Sequence, residues 1–317
     1  MVDAEILRAL GRQFGIDAIR ITTAKPFIEA SARIKEQRDA GLYLDHERWP
    51  RRDIDRFCDV RRVLPGARSI IAACQCYLTS EGPSVGVAGN PHGLVARYTW
   101  RNHYADLRSR LTELADLVTR QYNARCLVFS NGEIAEKPIA QRSGIGFYGK
   151  NAIIINPHYG SWIVLGEIIT DMEIEPDAPL DTDCGQCHEC VDACPTGAIA
   201  RPYVIDRRSC IQALTNWYGV LPDEISRVWS NRLYGCSDCQ DSCPRNMNVR
   251  HGKARTETGY VGPSIALRDI LEMSEEQYRN RYARNQMGER WINFKAIQRN
   301  ALVALGNIRD PLTVPLP

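Results

Sequence analysis

"CGQCHECVDACPTG", Cys184 to Gly197, sets four cysteines within eleven residues and places a proline after the last. The spacing is C-x2-C-x2-C-x3-C-P. In that pattern three thiolates on a tight loop hold three corners of one 4Fe-4S cluster, while the fourth ligates a neighbouring cluster. A second run, Cys236, Cys239 and Cys243-Pro244, repeats the pattern with one cysteine fewer, and Cys210 supplies the deficit. The spacing therefore predicts two 4Fe-4S clusters, one on Cys184, Cys187, Cys190 and Cys243, the other on Cys194, Cys210, Cys236 and Cys239. Two zinc sites of four cysteines each are the competing reading, because C-x2-C pairs also hold zinc.

The rest of the chain sets the context. Its 317 residues are 44% hydrophobic and 25% charged, the composition of a globular protein with a real core. The N-terminus "MVDAEILRALGRQFG" carries acids where a secretory signal is basic, and no long apolar run appears, so a cytoplasmic protein with no membrane partner is expected. Twelve cysteines in a reducing compartment point to metal ligands rather than a disulfide framework. Cys58, Cys74, Cys76 and Cys126 lack ligand spacing, and Cys74, Cys76 and Cys126, which sit in strands, read as core residues. A net charge of +2 gives no global attraction to nucleic acid, so any such contact must be local.

Ile6, Leu7, Leu10 and Phe14 recur at helical spacing ahead of a strand over Asp17 to Ala24. Ala67 to Leu78 reads as a second strand and Tyr104 to Tyr122 as a long helix. Arg125 to Ser130, Asn151 to Pro157 and Ser161 to Thr170 are β-branched runs bounded by turn residues. The Pro- and Asp-rich stretch from Glu173 to Asp183 reads as a linker, and Phe294 to Pro311 as a closing helix. The expectation is an α+β protein in three parts: an α/β domain over 1–178, a ferredoxin-like double-cluster domain over 179–258, and a short helical segment over 259–317.

Several separated blocks carry a resemblance: "RYTWRNHYADLRSRL" from Arg97, "AEKPIAQRSGIGFYGKNAIIINPHYGSWIVLGEIITD" from Ala135, "LPDEI" and "NRLYGCSDCQDSCPRN" around the second cysteine run, and "IQRNALVALGN" from Ile297. In this order they resemble epoxyqueuosine reductases over essentially the whole chain. The resemblance implies a base-off cobalamin in the N-terminal domain beside one cluster, and reduction of epoxyqueuosine to queuosine at the wobble position of tRNA. It also implies an external electron donor such as a flavodoxin or ferredoxin. No D-x-H-x-x-G segment offers a histidine to cobalt. By the same resemblance Gly144 and Gly146 bring backbone close to the corrin, Lys150 and Asn151 donate to its amides, and Arg97, Tyr104 and Gln141 wall the cavity. Without the family context, the glycines read as a turn between helix and strand.

Two departures stand out. The family carries an aspartate, as proton donor, where this chain has Ser130, and a serine hydroxyl is no acid near neutral pH. Glu133 is a candidate replacement, with a helix cap as the alternative, and Tyr104, His103 and His158 stand behind it. Many family members also continue from the "RNALVALGN" block into HEAT-like helices that grip tRNA. Here basic residues lie in that region instead, Arg245, Arg250, Lys253 and Arg255 and then Arg279, Arg281, Arg284, Arg290, Lys295 and Arg299, suited to phosphates or to a solvated face. A related reductase with another substrate, and a two-cluster electron-transfer protein, are the alternative functions.

Overall fold

A computed structural model describes residues 3–44, 53–82, 86–252 and 256–312. The chain opens with helix α1 (Ala4–Gln13), strand β1 (Ala18–Thr23), helices α2 (Ile28–Asp39) and α3 (Ile54–Phe57), and strand β2 (Ser69–Cys76). A hairpin, β3 (Gly86–Val87) and β4 (Asn90–Val95), leads into the long helix α4 (His103–Tyr122). Then come β5 (Cys126–Phe129), α5 (Glu136–Ser143), the pair β6 (Phe147–Tyr148) and β7 (Ile154–Ile155), and β8 (Ile163–Thr170).

Every residue of β2 is buried, as its largely apolar sequence suits, and helices cover both of its faces. Such runs are typical of parallel sheets, yet the sheet β1-β2-β8-β5 is antiparallel throughout. On one face Leu7 of α1 and Leu107, Leu111 and Leu114 of α4 pack against Ile71, Val164 and Ile168. On the other, Phe27, Ile54, Phe57 and Ile139 pack against Ile70, Leu165 and Ile169. The run expected as a strand over Asn151 to Pro157 shrinks to Ile154–Ile155, because residues 149–152 form a turn.

The cysteine region holds α6 (Glu189–Asp192), a hairpin of β9 (Ile199–Arg201) and β10 (Val204–Ile205), α7 (Ile211–Leu214), α8 (Asp223–Val228), β11 (Arg232–Tyr234) and α9 (Asp238–Asp241). The chain continues through β12 (Ser264–Ala266), α10 (Leu267–Glu272), α11 (Glu275–Arg281) and α12 (Phe294–Ile308). The expected three-part division is crossed by one strand. β4 lies between β11, its parallel neighbour, and β12, its antiparallel one, so each expected part contributes to one sheet. Val95 and Trp100 accordingly share a core with Leu233, Ile265, Leu267 and Ile297. Lys253 and Arg255 of the basic run lie outside the described residues.

A tight junction in the first sheet is Gly166 of β8, where an added Cβ would stand 2.7 Å from Leu111 Cδ1 and 3.1 Å from the Phe129 carbonyl oxygen. Gly166→Val is expected to push α4 off the sheet and to cost about 1–3 kcal/mol, read as a lowered midpoint in thermal or urea unfolding.

Candidate functional site

The two cysteine runs fold alike. α6 and α9 are single turns entered at His188 (φ −136°, ψ 11°) and Ser237 (φ −125°, ψ 8°), and they carry Cys190 and Cys239 at the same place. What differs is the destination of the last cysteine. A cavity of about 130 Å³ is lined by Cys184, Cys187, Cys190 and Cys243. Cys239 has Cys236 and Cys210 as its foremost charged neighbours, and Cys210 has Arg207 and then Cys194. The grouping is the crossed one that the spacing predicts.

Burial pushes the Cys236 thiol up to about 12, and both burial and the neighbouring thiols push Cys239 up as well. Four thiols so placed ionise together only against a strong positive charge, which iron supplies. Among the described residues no three His, Cys, Asp or Glu side chains are drawn together as a single metal ion needs. The foursomes suit a cluster by the C-x2-C-x2-C-x3-C-P spacing of the first run. Cys187 is exposed, so the first foursome lies at the surface. No member of the second is exposed, and Cys239 also neighbours Cys190 and Cys194.

Several residues read as corrin neighbours lie against the cluster loops. Lys150 donates from Nζ to the Gly185 carbonyl at 2.8 Å. Asn151 donates to the Cys239 carbonyl at 3.1 Å and also lines the first foursome's cavity, so it spans both. Gly144 caps α5 with φ 77°, where a Cβ would meet the Ala178 carbonyl oxygen at 2.5 Å. A Cβ on Gly146 would meet the Ile155 carbonyl oxygen at 2.6 Å. The turn reading thus has a direct packing cause. Gln141 is exposed on α5. Arg97 donates to the carbonyls of Thr79 and Glu81 and lies 4.3 Å from the centroid of the Trp100 ring, so it clasps the loop after β2.

A larger cavity, about 570 Å³, opens between α4, the loop after β5 and the segment before α12. Tyr104, Arg108, Ser130, Asn131, Gln286 and Trp291 are among its walls. Ser130 is fully buried; its hydroxyl donates to the Leu165 carbonyl at 2.8 Å, and its own carbonyl accepts from Arg108 at 2.6 Å. The hydroxyl is therefore committed to β8. Glu133 is exposed on the loop.

Two other acids lie near this loop, the half-buried Glu136 and the fully buried Glu167. Glu136, the first residue of α5, accepts the Gly132 N–H at 3.1 Å. Burial pushes its carboxyl up to about 7, against the pull of the Gly132 and Asn131 N–H groups and of Arg108 and Lys137. Glu167, 1% exposed in mid-β8, is raised well above the usual carboxylate range by burial and then by Glu136, and its Oε2 has no protein partner. The Tyr104 phenol is raised by burial, and Tyr98 and Glu136 are its foremost charged neighbours. Lys137 links this region to the clusters: it is exposed, its Nζ donates to the Ala152 carbonyl at 2.8 Å, and Arg207, Glu136, Cys239 and Cys210 are its charged neighbours. Neither Glu136 nor Glu167 was singled out by motif. The legible signal for Glu167 is a lone charge within the otherwise apolar "IVLGEIIT".

Comparison with known proteins agrees with this arrangement. Residues 183–246 match a family model described as a 4Fe-4S double cluster binding domain, and residues 58–130 one described as epoxyqueuosine reductase QueG, DUF1730. The chain is 33% identical to the epoxyqueuosine reductase of Bacillus cereus over 97% of its own length and 81% of that protein's. It is 35% identical to that of Escherichia coli over 77% and 66%. A crystal structure of epoxyqueuosine reductase with an epoxyqueuosine-modified tRNA-Tyr stem loop superposes with TM-score 0.86 at 33% identity, over 97% of this chain and 82% of that one. A Bacillus subtilis structure, with its catalytic aspartate loop swung out of the active site, gives 0.86 at 32% over the same shares.

Crossed ligation makes a distinct prediction for single serine variants. Cys194→Ser and Cys239→Ser should perturb the same cluster signal in electron paramagnetic resonance of the reduced protein, and Cys187→Ser and Cys243→Ser the other. If Cys194 instead grouped with Cys187, the assignment would be overturned.

Proposed function

The chain belongs to the epoxyqueuosine reductase family, and from that membership we infer that its own substrate is tRNA bearing epoxyqueuosine. It is an oxidoreductase of queuosine biosynthesis, with two 4Fe-4S clusters and cobalamin as cofactors. The observation that carries the reading is the sequence match over nearly the whole chain, joined to the gathering of Cys184, Cys187, Cys190 and Cys243 around one cavity.

The reaction removes one oxygen: the epoxide takes up two electrons and two protons, both C–O bonds break, and an alkene and water result. The cysteine loops set an order for the electrons, from the surface foursome at Cys187 to the other at Cys239 and then toward Lys137. An external one-electron donor, flavodoxin or ferredoxin, fits the exposed end of that order.

Glu136 neighbours both Tyr104 and Lys137, and Lys137 in turn neighbours Cys239 and Cys210, a run of polar groups suited to the amide rim of cobalamin. His103 is buried with its ring 5.7 Å from that of Tyr77, in keeping with a base-off cofactor. When bound, cobalamin supplies a metal centre that carries electrons between the second cluster and the substrate. Arg108 and Asn131 face the cavity, where they can orient the nucleoside. Trp291, 51% exposed at the cavity, offers an aromatic face for a base of the anticodon loop.

The basic residues divide. Arg279 and Arg299 donate to backbone carbonyls of the fold, and Arg281 pairs with Asp269, so phosphate contacts fall to others such as Arg290 and Lys295. No helix among the described residues is long and apolar enough to cross a membrane.

Anaerobic protein loaded with both cofactors is expected to convert an epoxyqueuosine stem loop to queuosine, followed by mass spectrometry of the released nucleosides. An unchanged stem loop despite full cluster content and a base-off cobalamin spectrum would favour a related reductase with another substrate, a reading that Ser130 alone supports. Trp291→Ala should weaken stem-loop binding by about tenfold or more, from the roughly 1–3 kcal/mol per stacked base, with cluster content unchanged.

A further inference from the structure

We propose that Glu136, with Glu167 behind it, is the proton source for the oxygen that leaves the epoxide, the part for which Ser130 has no acid to offer. The proposal rests on the reductase reading. Its geometry begins with Ser130, whose hydroxyl is spent on the Leu165 carbonyl and whose carbonyl is held by Arg108. Five residues of loop then lead through Gly132, whose N–H binds Glu136 Oε1, into the first turn of α5. The carboxyl of Glu136 is thereby tied to the same loop that carries position 130.

Glu167 reaches this place from the sheet. In the register of the strands it stands opposite Phe129, the residue before Ser130, and opposite Ala72 on the other side. Leu165 and Ile169, two residues to either side of it, pack with Ile139 of α5, so Glu167 lies on the α5 face of the sheet. A fully buried carboxyl oxygen without a partner is costly, and a proton on it removes the charge. The groups that bear on the pair are Arg108 and Tyr104 from α4, Lys137 from α5, and the N–H groups of Asn131 and Gly132.

This arrangement matches the stoichiometry of the reaction. One turnover consumes two protons, one at each C–O cleavage, and delivers them to the single oxygen that departs as water. Glu136 gives the first; Glu167 returns a proton to Glu136 for the second; solvent restores both. The electrons come from the clusters by way of the external donor, so the pair carries protons only. The proton on Glu136 is present below about pH 7 and lost above it, so turnover should fall as pH rises through that value.

The test is single turnover of an epoxyqueuosine stem loop by the reduced, cobalamin-loaded enzyme between pH 5.5 and 9, together with infrared spectra of the carboxylic acid C=O stretch. Wild type should show a rate that breaks near pH 7, and two acid bands, of which one fades across the same range. Glu136→Gln, which can still accept the Gly132 N–H, should lose that band and the break, and slow turnover about 100-fold. Its iron content and stem-loop affinity should hold. Glu167→Gln should remove the band that does not fade. Ser130→Asp in the Glu136→Gln background should restore turnover at least tenfold, by returning an acid to the loop. Turnover of Glu136→Gln within threefold of wild type, with the break in place, would overturn the proposal and leave the reductase reading standing. A loaded wild type that never converts the stem loop would sink that reading and the proposal with it.

Discussion

The exchange of one thiolate between two cysteine runs is the constraint on which the rest depends. Neither run completes a foursome from its own residues: the first group takes Cys243, and the second takes Cys194 and Cys210. Residues 184–243 must therefore close as a unit around their iron. That unit is pinned to the first sheet by few but well-placed contacts. Gln240, beside Cys239, donates to the Ser161 carbonyl and the Tyr77 hydroxyl at the ends of β8 and β2. Asn246 accepts the Ser161 N–H at 2.7 Å, and Asn151 holds the Cys239 carbonyl. These contacts fix the second foursome relative to α4 and α5, and so relative to the cavity.

Much of this was legible because ligand spacing and hydrophobic period are local signals. C-x2-C-x2-C-x3-C-P names both the cluster type and the crossed partner, and the apolar stretch at Ser69–Cys76 announces a strand covered on both faces. Other features depend on what the chain brings together at long range. Nothing in "NPHGLV" says that β4 will join strands from two distant segments. Lys150 and Asn151 read, by resemblance, as donors to corrin amides, and only their bonds to Gly185 and Cys239 show that they also hold the cluster loops. Arg279 and Arg299 look like a phosphate surface until their carbonyl partners are seen.

The acids illustrate the same division. Sequence identifies the vacancy at Ser130, because a hydroxyl cannot replace a carboxyl as an acid. It does not identify which carboxyl lies near. Glu133 and Glu136 are three residues apart on one loop, and the start of α5 separates them: the first stays in solvent while the second is drawn against α4 and β8. Burial is a tertiary property, and with it goes the shift that turns an ordinary glutamate into one that titrates near neutrality.

The position of β4 bears on how the chain is made. As synthesis proceeds from the N-terminus, β4 emerges well before β11 and β12 exist to pair with it. In that interval it is an open edge, and Pro91, which lacks an N–H, blunts its capacity to recruit another chain. The edge closes only when β11 arrives, two residues ahead of Cys236. Delivery of iron and completion of this sheet therefore fall in the same late stage, and a chain starved of iron keeps an adhesive strand exposed, which favours aggregation over a soluble apo form.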